Sequence, residues 1–217
     1  MRIFAIADPH GNYSKIGGLL KKAGEIDLVL VAGDITNFGP DEKALELFEL
    51  FDAPILAVPG NCDQPSILKV LDNSKAVNLH QKSYTIDDTL FIGYGGSNPT
   101  PFCTPFEMQE CDIGLGLEET LKVSESNNRK IVLLTHAPPY GYLDEVPAGH
   151  VGCTSISAFI GKAELIVCGH IHEARGVVRT KGTVVVNPGM AALGYAALIK
   201  INNGGIEHKI EVELLKF

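Results

Sequence analysis

The stretch Ile55-Leu56-Ala57-Val58-Pro59-Gly60-Asn61-Cys62-Asp63 places four apolar residues directly before a proline–glycine break and three polar side chains. A short continuous apolar run bounded by turn residues is the pattern of a strand buried on both faces, and such strands belong to parallel sheets covered by helices. The polar residues sit at the carboxyl end of the run, which is where the ligand crevice of an open α/β sheet lies.

The same unit recurs along the chain. Apolar residues 3–7 run into Asp8-Pro9-His10, and residues 28–32 into Gly33-Asp34. Residues 131–134 run into Thr135-His136, and residues 165–168 into Gly169-His170-Ile171-His172. Segments with helical spacing lie between these runs. Ile16, Leu19, Leu20 and Ala23 follow a Ser14 cap; Ala44, Leu47, Phe48 and Phe51 follow Asp41; Ile156, Phe159, Ile160 and Ala163 follow Thr154. The fold class is therefore α/β. Beyond residue 175 the pattern changes to runs at 176–181, 183–187, 195–201 and 206–217, separated by Lys181-Gly182 and Asn202-Asn203-Gly204-Gly205, which predict antiparallel strands closing the sheets. Two aperiodic segments, 97–112 and 137–152, are expected to be loops covering a site.

A chain of 217 residues can bury one sizeable core, so a single domain over 1–217 is expected. A formal charge of −8 without a basic patch argues against a nucleic-acid partner or an anionic membrane surface. The five cysteines are odd in number and contain no C-x-x-C pair, which suits free thiols in a reducing compartment. The apolar run near the start is too short for a leader or a span, and a cytoplasmic setting is expected.

Five strand ends thus deliver Asp8, His10, Asp34, Asn61, His136, His170 and His172 to one edge. A single D-x-H reads as a turn and a single G-D as a helix cap; the ordered set reads as a site. Imidazole, carboxylate and amide oxygen suit divalent ions of intermediate hardness, namely Mn, Fe, Ni, Co or Zn. A carboxylate can bridge two ions, and two ions about 3.5–4 Å apart clamp a phosphoryl group and lower the pKa of a bound water to about 7. Hydrolysis by a metal-bridging hydroxide is the expected chemistry.

The ordered motifs D-P-H, G-D, G-N-C-D, T-H and G-H-I-H resemble the calcineurin-like metallophosphoesterase superfamily, across Asp8 to His172. Asn187-Pro188-Gly189 and Gly149-His150-Val151-Gly152-Cys153 resemble a small, largely microbial branch of it. The resemblance implies a four-layer α/β/β/α sandwich with mixed sheets and two divalent metal ions, manganese favoured. It implies that Asp8, His10, Asp34 and His172 hold one ion, and that Asn61, His136, His170 and the shared Asp34 hold the other. Asn37 stands where the purple acid phosphatase branch has a tyrosine ligand, so no tyrosinate–iron centre is expected.

In many members of the superfamily the residue after the ligand asparagine is a histidine that contacts phosphate and protonates the leaving alkoxide. Here it is Cys62. Three readings compete: a metal ligand, disfavoured because Asn61 fills that role and neighbours on a tight turn point apart; a nucleophile, with no paired histidine in view; or a residue occupying the histidine's place without its function. The third implies a phosphodiesterase acting on a small phosphodiester, weak on alkyl monoesters, because a thiol is a poor proton donor to phosphate oxygen. Alternatives are a phosphomonoesterase in which His150 replaces the missing acid, a non-catalytic metal-binding scaffold, and a nuclease. His150 reads equally as a substrate contact or as a loop histidine bonded to backbone. Asp63 is expected to orient its own turn and Asn61. Asn12 and Asn187 read as turn formers, Arg175 as a residue facing solvent or an acid, and His208 as structural; His80 gives no signal.

Overall fold

The computed structural model describes residues 1–124, 129–202 and 210–217. Strands β1–β14 and helices α1–α5 are numbered along the chain. In the first sheet β1 (Arg2–Ile6), β2 (Leu28–Ala32), β3 (Ile55–Val58) and β4 (Val77–Asn78) lie parallel. Beyond β1, β13 (Tyr195–Ile201) and β14 (Ile210–Lys216) add antiparallel. In the second sheet β12 (Thr183–Asn187), β10 (Leu165–Val167), β7 (Lys130–Thr135) and β6 (Thr89–Tyr94) are parallel neighbours, with antiparallel β11 (Gly176–Thr180) and β5 (Lys82–Ile86) at the two edges.

The two-residue period of each strand sorts its side chains into layers. Phe4, Ile6, Val29, Val31, Ile55 and Ala57 point to one face, against α1 (Ile16–Ala23), α2 (Lys43–Phe48) and α3 (Ile67–Asp72). Their alternates Ile3, Ala5, Leu28, Leu30, Leu56 and Val58 point to the other, against Phe91, Val132, Leu134, Leu165, Val167 and Val186 of the second sheet. The outer face of that sheet packs Leu90, Ile92, Leu133 and Ile166 on α4 (Glu110–Val123) and α5 (Thr154–Ser157), through Ile113, Leu117 and Ile156. The result is a four-layer α/β/β/α sandwich with two mixed sheets, as the motifs imply.

Several local expectations fail. Ser14 does not cap α1; its hydroxyl and amide both bond Asn12 Oδ1, and Lys15 takes the cap position without a side-chain bond. The third helix is a single turn, because the chain must turn back at Gly161 (φ +85°) to enter β10; Phe159 and Ala163 are buried from turns instead. The first long loop ends at Gln109, where α4 begins, and the second contains the hairpin β8 (Glu145–Val146) and β9 (Gly149–His150). The run expected at 176–181 stops at Thr180. Of the run expected at 206–217, residues 206–209, with His208, lie outside the described residues. Among the described residues no helix is long and apolar enough to cross a membrane.

His80 acquires a place that its sequence context did not suggest. It is 8% exposed, its Nδ1 accepts the Gly95 amide at 3.0 Å, and its ring meets Tyr94 and Phe106 edge-on at 5.0 and 5.3 Å. Burial, with Lys82 adding to it, holds its pKa at about 4. The unfolded chain takes up a proton near pH 6.5 and the folded one only near 4, so this contribution is present above 6.5 and lost as pH falls through 4. Between pH 7 and 4.5 the native protein is expected to lose about 2–3 kcal/mol more than His80→Gln. Urea unfolding of both at the two pH values measures the difference, and equal losses would refute it.

Candidate metal centre

β1, β2, β3, β7 and β10 all release their chains at the same edge. There Asp8, His10, Asp34 and His170 adopt positive φ, from 46° to 67°, a region that non-glycine residues occupy at a cost and keep only when surrounding bonds over-determine it. Those bonds are present. Asp8 and His10 amides donate to the carbonyls of Gly33 and Asp34 at 3.1 and 2.8 Å, and the Gly169 amide donates to the His136 carbonyl at 2.9 Å. The His170 amide reaches both Asp8 oxygens at 3.2 Å, and the Cys62 amide donates to Asp34 Oδ1 at 2.8 Å. Gly60 is required by close approach: a Cβ there would lie 2.0 Å from Asp34 Oδ1 and 2.1 Å from Asp34 N.

The seven side chains converge in two groups. In one, His10 Nε2 lies 3.3 Å from His172 Nε2 and 3.6 Å from Asp34 Oδ2, while His172 Nε2 lies 3.5 Å from Asp8 Oδ1. In the other, Asn61 Oδ1 lies 2.8 Å from both His136 Nε2 and His170 Nδ1, and His136 Nε2 lies 3.4 Å from Asp34 Oδ1. Asp8, Asp34, Asn61 and His136 are buried.

The donor chemistry fits divalent cations. His136 Nδ1 is 2.8 Å from the Ala32 carbonyl, which can only accept, so Nδ1 carries a proton and Nε2 is the nitrogen turned toward the centre. That nitrogen faces two acceptors, Asn61 Oδ1 and Asp34 Oδ1, an arrangement of donor atoms that a divalent cation among them would satisfy. Burial lowers the pKa of His10 against the pull of Asp34 and Asp8, and lowers that of His170 to about 4, favouring the neutral rings that ligation needs. Burial pushes the Asp8 carboxyl up, but the His172 bond and the neighbouring rings bring it below its ordinary value; the same Asp8 bond raises His172.

Cys62 differs in one respect from expectation: it does not point away. Its Sγ and ligand atoms of His10 and Asp34 lie within 4.8 Å of one another, and Asn61 Nδ2 is 3.7 Å from the sulfur. Burial, then the Asp34 carboxylate, push the thiol pKa up. Asp63 is fully buried and accepts from the amides of Ile35, Thr36 and Gly60 and from the Thr36 hydroxyl, at 2.7 to 3.0 Å. It pins its own turn to the segment after Asp34, and burial together with Asp34 raises its pKa to about 6 against those donors.

His150 stands apart from these groups on β9. Its Nδ1 is 2.7 Å from Oδ1 of fully buried Asp144, whose other oxygen accepts the Gly141 and Gly152 amides. The ring is 44% exposed and lines a groove of about 600 Å³ with Glu173, the neighbour of His172. Arg175 is half-buried, and in place of an acid partner it donates to the Pro188 and Leu215 carbonyls and stacks on Tyr195 at 4.6 Å. Asn187 is buried, donates to the Ile171 carbonyl at 2.9 Å and accepts the Gly189 amide, tying the G-H-I-H turn to β12. Two residues passed over in sequence touch the site's support: Thr104 Oγ1 accepts Asn61 Nδ2 at 3.0 Å, and Glu107 binds Thr104.

A two-sheet sandwich that gathers carboxylates, imidazoles and an amide at one edge defines the class of metal-dependent phosphoesterases. The model of the calcineurin-like phosphoesterases matches residues 1–174, and the chain belongs to that family. It is 38% identical over 199 residues to the uncharacterized protein MJ1162 of Methanocaldococcus jannaschii, covering 87% of this chain and 88% of that one. Among solved structures it resembles TT1561 of Thermus thermophilus (TM-score 0.73, 17% identity, 98% and 97% covered). It also resembles a dimetal phosphatase from Danio rerio (TM-score 0.67, 11% identity, 100% and 98% covered). At these identities the two structures speak to the fold. Members of the family use divalent metals.

Proposed function

We propose that the chain, acting as one domain over 1–217, is a two-metal phosphodiesterase of the cytoplasm. The observation that carries it is the position of Asp34: one carboxylate oxygen faces His136 at 3.4 Å and the other faces His10 at 3.6 Å, so one side chain serves both groups. Asp8, His10 and His172 with Asp34 would hold one ion, and Asn61, His136 and His170 with Asp34 the other, manganese favoured. Two such ions supply a clamp for the phosphoryl oxygens and an ionised water at neutral pH. The protein's own part is to favour the neutral rings of His10 and His170 by burial, to fix His136 through the Ala32 carbonyl, and to offer no strong acid at position 62. That last feature favours diesters with good leaving groups.

A second reading is favoured by the His150–Asp144 pair. A buried carboxylate that orients one ring nitrogen leaves the other free to give a proton, and the groove it lines adjoins Glu173. This reading makes the protein a phosphomonoesterase. The test is hydrolysis of bis-p-nitrophenyl phosphate and p-nitrophenyl phosphate by metal-stripped protein reloaded with Mn²⁺. A higher kcat/KM on the diester is expected; a monoester preference would favour the His150 reading. Two bound ions with turnover of neither substrate would count against both and for a metal-binding scaffold.

A further inference from the structure

Asn61 differs from the other six side chains in that its two ends are nearly equal in shape and opposite in chemistry. Only the oxygen can face a cation; the amino group would repel it. What decides the orientation lies 43 positions along the chain. Asn61 Nδ2 is 3.0 Å from Thr104 Oγ1, and Thr104 Oγ1 is 2.5 Å from Glu107 Oε1. A hydroxyl has one proton to give. An ionised carboxylate cannot donate, so that proton goes to Glu107, and Oγ1 meets Asn61 with lone pairs alone. The amide must answer with its N–H, which turns its oxygen toward His136 and His170.

Glu107 is built to stay an acceptor. It receives the Thr100 amide and hydroxyl at 3.1 and 2.6 Å and the Thr104 amide at 2.8 Å, besides the Thr104 hydroxyl. Burial pushes its carboxyl up, but these bonds prevail and hold its pKa at about 2. The loop is also tied to the site by backbone, the Phe106 amide donating to the Asn61 carbonyl at 3.1 Å.

We propose that Thr104 and Glu107 are positioning residues that fix the Asn61 amide with its oxygen toward His136 and His170, and so set the affinity of the ion held there. The proposal rests on Asn61 being a ligand, as the two-metal reading has it. Outer-shell partners of this kind are worth roughly 10–100-fold in metal affinity.

The test is Mn²⁺ titration by calorimetry, with the visible spectrum of the Co²⁺-loaded protein and the thermal midpoint measured alongside. Thr104→Val keeps the shape and removes the acceptor. It is expected to weaken one of the two ions by about 10–100-fold, leave the other unchanged and alter the cobalt spectrum. Thr104→Ser is expected to restore both. Glu107→Gln, whose amide can donate to Thr104 and reverse the hydroxyl, should weaken the same ion. Wild-type protein with two ions and an unchanged Thr104→Val would overturn this inference alone, as would a Thr104→Ser variant as weak as Thr104→Val. Wild-type protein that binds fewer than two ions would overturn the two-metal reading beneath it.

Discussion

Asp34→Asn is expected to lower phosphodiester turnover by about 10³-fold or more and to reduce the bound metal from two ions per chain to one. An amide offers one oxygen where the carboxylate offers two, and it carries no charge to balance a pair of cations. Asp34 spends both oxygens: Oδ1 accepts the Cys62 amide at 2.8 Å and faces His136, while Oδ2 faces His10. If Asp34 is shared by two ions, losing it would remove the electrostatic stabilisation that a second ion would supply to a phosphoryl group, several kcal/mol, and each 1.36 kcal/mol is tenfold in rate. The asparagine is nearly isosteric and retains the Cys62 bond, so the fold should survive. Steady-state kinetics on bis-p-nitrophenyl phosphate, with metal content by elemental analysis on the same sample, decides the matter. Turnover within tenfold of native, with two ions retained, would remove Asp34 from the centre of the mechanism.

Cys62→His is expected to raise kcat/KM on an alkyl phosphate monoester by about 10²-fold and to leave p-nitrophenyl esters within a few-fold. General acid catalysis is worth about 10²–10⁴, and it matters where the leaving group is a basic alkoxide. Nitrophenolate departs without help. The side chain at 62 points at the centre, as its sulfur lies within 4.8 Å of donor atoms of His10 and Asp34, so an imidazole placed there would be turned toward the same centre. The contrast between the two leaving groups is the informative part. An equal gain on both would mean that the histidine binds metal or phosphate instead of giving a proton, and no gain would mean that a proton donor is already present, with His150 the first to remove.

The strand ends were legible in the sequence for a physical reason. The middle of a strand buried on both faces rarely takes a polar residue, so a polar cluster after an apolar run marks where the chain leaves the sheet, and five such departures at one edge point to a site. The lateral supports were not legible. Asn61 and Thr104 meet across 43 positions, inside a proline-broken segment with no period, and Glu107 looks there like any solvated acid. Helix α4 was hidden by Gly114 and Gly116, which lower helix propensity; yet a Cβ on Gly116 would lie 2.5 Å from the Tyr94 ring, so the feature that conceals the helix is the one that lets it dock. The third helix was overread because Phe159 and Ala163 are buried at helical spacing while the chain between them turns. His80 was silent because its role comes from Tyr94, Gly95 and Phe106, all distant in sequence.

The left-handed backbone at Asp8, His10, Asp34 and His170 has a wider meaning. Those conformations are secured by amide–carbonyl and amide–carboxylate bonds between neighbouring strand ends, so the receptacle is assembled by folding and not by its cargo. A zinc finger owes its fold to its ion; here the bonds that shape the site join strand ends of the protein itself. A site so built would be expected to take one divalent ion in place of another without the chain rearranging.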